Sequence, residues 1–113
     1  MKFSTLHKLQ TLHRLIYIAT ANILSASKNA DGSTDAVAVL AVFDWYAPEI
    51  KGLEHYIDLV DDDELHDLFE TEYNSFETLK VLTEEESKDR VVISQTVGDL
   101  IKSIRKLEEL FGE

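Results

Sequence analysis

The chain has 113 residues, 44% of them apolar and 29% charged, which excludes a disordered polymer and any need for a metal or disulfide to hold the fold. It contains no cysteine, so disulfides, thiolate nucleophiles and Cys-type zinc sites are excluded together. Its 22 acidic residues against 11 basic ones give a formal net charge of −11, which argues against direct binding to nucleic acid or an anionic membrane and for a basic partner, or for simple solubility.

The first predicted element is a helix. Ser4 is positioned to cap it, and Leu9, Leu12, Ile16, Ala19, Ile23 and Ala26 alternate spacings of three and four. His7, Thr11, Arg14, Ala21, Ser25 and Lys28 fall on another side. Lys2, Lys8 and Arg14 ahead of the run Leu15–Leu24, with Ser25-Ala26-Ser27 after it, loosely resemble a secretory signal. Thr20 and Asn22 interrupt that run and the basic stretch is too long, so the segment is read as part of a cytoplasmic domain. The turn residues Asn29-Ala30-Asp31-Gly32-Ser33 end the helix.

Ser33 or Thr34 then caps an element from Asp35 to Tyr46. It is apolar nearly all round, which predicts the most buried piece of the fold, as a helix or as a buried strand. Pro48 biases Ala47 away from helical angles, so this element should stop near Tyr46 and a short helix should run from Pro48 to about Val60. Asp61 or Asp62 caps the next helix, whose apolar side is Leu65, Leu68, Phe69, Tyr73, Phe76 and Leu79. Thr83 and Glu86 have capping-box spacing ahead of a last helix with the stripe Ile93, Val97, Leu100, Ile104, Leu107 and Phe111, expected to pack against the first. Gly98 inside it costs about 1 kcal/mol relative to Ala. The fold class read from this pattern is all-α, a single-domain bundle of four to five helices over residues 1–113. The rival is an α+β fold in which residues 76–82 and Arg90–Ser94 form a hairpin and Thr96 caps a shorter helix.

Charge is unevenly placed. Residues 1–30 carry a net +4, residues 31–89 a net −15, and residues 90–113 balance. The densest run lies at 58–72, with Asp58, Asp61, Asp62, Asp63, Glu64, Asp67, Glu70 and Glu72 and no Lys or Arg. On a helix turning 100° per residue, Asp63, Asp67, Glu70, Asn74 and Glu77 fall within about 80° of arc and span about 21 Å. First-turn acids favour the helix dipole, but Asp67, Glu70 and Glu77 lie beyond its reach.

These residues suggest a partner-binding face made of Asp61, Asp62, Asp63, Glu64, Asp67, Glu70 and Glu77. Spaced negative charge on a rod can imitate a nucleic-acid backbone, so the expected function is an acidic protein-binding module, of the inhibitor type that phages and mobile elements carry. Its partner would be a basic protein such as a nucleic-acid-binding protein or nuclease. The bland reading is a solvated acidic face. A second hypothesis is an assembly protein that self-associates, as a homodimer for instance, through the stripes at 9–26 or 93–111. A third is a small hydrolytic enzyme built on Asp44, which interrupts the apolar run Val37–Tyr46, paired with a nearby histidine.

No cofactor or metal is expected. An EF-hand counted from Asp61 fails at Leu65 and His66 in positions five and six. His7 and His13 sit on different faces of one helix, His66 follows Asp63 by three but no Glu-x-x-His occurs, and each histidine is read as exposed or locally bonded. Trp45 and Tyr46 beside Pro48 are a further candidate contact patch, with core packing as the plainer role.

Overall fold

A computed structural model describes residues 2–26 and 35–112. Among these residues the fold comprises four α-helices, α1 (Phe3–Ala26), α2 (Ala36–Leu53), α3 (Asp63–Glu84) and α4 (Arg90–Gly112), with a 3₁₀ segment (Glu54–Leu59) between α2 and α3. No strand occurs among the described residues. The bundle reading therefore holds and the hairpin reading does not: residues 76–82 lie inside α3, and Arg90–Ser94 opens α4. Thr96 sits within α4, where its hydroxyl donates to the Val92 carbonyl 2.8 Å away.

Local chemistry sets each boundary. Asp62 caps α3 as the sequence suggests, its Oδ1 accepting from Leu65 N–H at 3.0 Å. Asp35 caps α2 through Ala38 N–H at 3.0 Å, whereas Ser33 and Thr34 lie outside the described residues. So do Lys28 and the expected turn at 29–33. Ser4 lies within α1 rather than ahead of it. The Thr83–Glu86 pair is no capping box, because Thr83 donates to the Leu79 carbonyl inside α3. Instead α3 closes with Glu86 at φ 51°, Ser87 N–H reaching Leu82 O and Glu86 N–H reaching Thr83 O. These are the paired bonds of a Schellman turn. Asp89 then accepts from Val92 N–H at 3.2 Å and starts α4.

Pro48 does not end α2; the helix runs through it to Leu53. Phe43 and Ile50, seven residues apart, are both fully buried and hold one face of the helix across the proline. The amide that proline lacks would have met the Asp44 carbonyl, and both residues are exposed, so that carbonyl can be hydrated.

α1 packs mainly on α2 and α3 mainly on α4, giving two helical hairpins; α1 then contacts both α3 and α4, and α2 contacts α3. The expected α1–α4 pairing is thus present, but α3 is the chief partner of α4. The core combines Leu9, Leu12 and Ile16 of α1 with Phe43 of α2, Phe69 and Phe76 of α3, and Leu100 and Leu107 of α4, all fully buried. The rings of Phe43 and Phe76 meet at 5.0 Å between centroids. The stripes at 9–23 and 97–107 are spent on this core rather than on a dimer seam. α2 is not the most buried element, because it makes no contact with α4 and, among the described residues, has neighbours on one side only. Its outer face exposes Val37 (80%), Ala41 and Trp45 (78%).

Candidate functional site

Two places in this bundle concentrate chemistry. The first is the acidic face of α3. Asp63, Glu64, Asp67 and Glu70 are exposed on a continuous helix of 22 residues, and Glu77 is half-buried farther along the same side. Asp63, Glu64, Asp67 and Glu70 form no ion pair with Lys or Arg among the described residues. His66 lies 3.8 Å from Asp67 and 3.7 Å from Glu70, close enough for weak pairing when protonated. Asp62, in the expected binding set, has its carboxylate committed to the cap of α3. Asp61 precedes the helix and is exposed. Across a groove from Glu64 and Asp67 stand Lys102 and Lys106 of α4, with Asp99, Thr71 and Ser103 along the floor and walls. The row is therefore bordered on one side by two cations, a feature invisible in the local sequence because α4 lies some 35 residues downstream.

Glu72 belongs elsewhere. It is fully buried, three residues after Phe69 and four before Phe76, on the apolar side of α3. Its Oε2 lies 2.8 Å from His13 Nδ1 of α1, and His13 Nε2 lies 2.6 Å from Glu108 Oε1 of α4. His13 is buried, the Glu108 side chain half-exposed. The rings of Tyr17, edge-on, and Phe111 flank the imidazole at 6.3 and 5.8 Å. His13 is thus neither exposed nor locally bonded, as the sequence suggests, but joined to residues 59 and 95 positions away.

Burial pushes the Glu72 carboxyl up to about 7, outweighing the imidazole, which pulls it down. For His13, burial lowers the affinity for a proton, but the hydrogen bonds and charges of Glu72 and Glu108 overcome this and the net direction is upward. Glu72 Oε1 finds no hydrogen-bond partner among the described residues, nor does the buried Thr20 hydroxyl. Among the described residues no group of three or more His, Asp or Glu side chains is arranged to hold a metal ion.

Asp44, read from sequence as a candidate base, is exposed on the outer face of α2, because no described element packs against that face. Trp45 is likewise exposed rather than in the core, and with Tyr46, Val42 and Ala41 it lines a shallow groove against Asn22 and Ser25 of α1. Tyr46 is half-buried and accepts from Asn22 Nδ2 at 3.1 Å. No helix among the described residues is long and apolar enough to cross a membrane. No family model, curated protein or solved structure gives a match to this chain.

Proposed function

We propose that this protein is an acidic protein-binding module that offers the α3 face to a basic partner, an arrangement able to imitate a nucleic-acid backbone. The observation that supports it is the exposure of Asp63, Asp67 and Glu70 along one side of an unbroken helix, with no Lys or Arg paired to them among the described residues. Fixed charges on a rigid element keep their spacing, which raises association rates and penalises partners of the wrong sign. Lys102 and Lys106 limit the face on the α4 side, so a partner approaches from the side of Asp63 and Glu70.

The test is capture from the native host by the immobilised protein, with the triple substitution Asp63→Asn, Asp67→Asn and Glu70→Gln as control. A basic partner should be held by the wild-type protein, displaced by duplex DNA and lost with the triple variant. Equal capture by both proteins would exclude this face as the binding surface, and indifference to DNA would exclude backbone mimicry.

A second reading, self-association, is favoured by the outer stripe of α2, where Val37, Ala41 and Trp45 follow one another at four-residue spacing in the open. Mass in solution measured over a hundredfold concentration range tests it. A monomer throughout removes this reading.

A further inference from the structure

Three helices converge on one imidazole, and the hydrogen-bond geometry fixes how many protons they hold. His13 approaches Glu72 at 2.8 Å and Glu108 at 2.6 Å, one through each ring nitrogen. At such separations a proton must lie between nitrogen and oxygen, since two lone pairs facing each other repel. A neutral imidazole has one N–H, and an ionised carboxylate has none. Neutral His13 between two ionised carboxylates can therefore complete only one of the two contacts. The observed arrangement requires one proton more, carried by the ring as imidazolium or by a carboxyl group.

We propose that His13, Glu72 and Glu108 form a proton-binding clasp that fastens the C-terminal end of α4 to α1 and opens when its one extra proton is lost. Glu108 and Phe111, one turn apart on α4, both rest against His13, and Phe111 also meets Phe69 of α3 at 5.8 Å. Leu107 is fully buried in the core, so loss of the proton turns Glu108 outward and loosens the last turn without parting α4 from α3. The ionisable groups acting on the cluster are its own members: His13 from α1, Glu72 from α3 and Glu108 from α4. Among the described residues, α2 and the 3₁₀ segment add none. Glu72 is the member that cannot be solvated, being fully buried with one oxygen unbonded to any described residue, so the extra proton is held where water cannot easily replace it. The upward direction for both Glu72 and His13 agrees with a proton retained through neutrality, titrating as a property of the group rather than of one residue.

The test follows the His13 ring and the Glu72 carboxyl by NMR in the folded protein from pH 5 to 9, alongside thermal unfolding of the wild type and Glu72→Gln. In the wild type the Glu72 carboxyl should pass its midpoint near about 7 rather than 4.5, and the His13 ring should pass its own above the 6.5 of an ordinary histidine. Contacts between the His13 and Phe111 rings should weaken over the same range. The wild-type unfolding equilibrium constant should rise with pH above about 6.5, by up to about tenfold per pH unit. In the Gln variant the new amide can donate to His13 Nδ1, leaving the neutral ring to donate to Glu108, so the rise should flatten. A His13 midpoint below 6.5 with Glu72 titrating near 4.5, or parallel pH curves for the two proteins, would overturn the clasp. Should the variant not fold, the wild-type midpoints decide on the same terms.

Discussion

Replacing His13 by Ala would leave Glu72 buried with no partner, and removing one member of a buried pair costs about 3–5 kcal/mol. Urea unfolding at pH 8 should show a loss of that size, shrinking toward pH 5 as Glu72 takes up a proton. The sign follows from the shifts. Glu72 is raised from 4.5 to about 7 and His13 is raised above 6.5, so the one proton they share stabilises the fold fully below the unfolded value of His13 and is lost as pH rises through the folded value of the cluster. The unfolded chain carries that proton on His13 up to about 6.5, so stability should fall from about pH 6.5 to beyond 7. Thr20→Val removes a buried hydroxyl without a described partner and should stabilise by about 1 kcal/mol in the same assay. The buried cluster left a trace in the sequence. Glu72 occupies a place in the period Leu65, Phe69, Phe76 and Leu79 that calls for an apolar residue, and His13 stands four after Leu9 and three before Ile16. In the sequence Glu72 counts only as one more acid of the 58–72 run. Nothing local reveals that these two residues and Glu108 meet, because only tertiary packing brings together residues up to 95 positions apart.

At the scale of helices, caps and stripes were legible where one residue settles them. Asp62 caps α3, and the amphipathic periods of α1 and α4 mark their buried sides. Pro48 misleads because its cost falls on the exposed side of α2, where burial of Phe43 and Ile50 outweighs it. The apolar composition of α2 misleads for another reason: composition predicts what prefers burial, while the number of neighbouring helices decides what is buried. Two substitutions probe these elements. Gly98→Ala places a methyl group where nothing lies within 4 Å and should stabilise α4 by about 1 kcal/mol, raising the thermal midpoint by roughly 4 °C. Asp62→Ala should cost about 1 kcal/mol through loss of the α3 cap, read by chemical denaturation.

The whole molecule is an elongated body of 48 × 26 × 25 Å whose charges are sorted by helix. α1 carries Lys8 and Arg14 with no acid, and α3 carries much of the acidic excess. That sorting is what the proposed function uses: a fixed negative row reaching outward, limited by Lys102 and Lys106 on one side. The sequence displays the row, since helical spacing alone aligns Asp63, Asp67 and Glu70. It hides the two lysines, whose position depends on how α4 lies against α3. The most direct measurement is the affinity for the captured basic partner as a function of salt, for the wild type and the triple variant at Asp63, Asp67 and Glu70. Wild-type affinity should fall steeply between about 50 and 200 mM salt, and the variant should bind more weakly with a shallower dependence. Equal affinities and equal salt slopes for the two proteins would contradict the account.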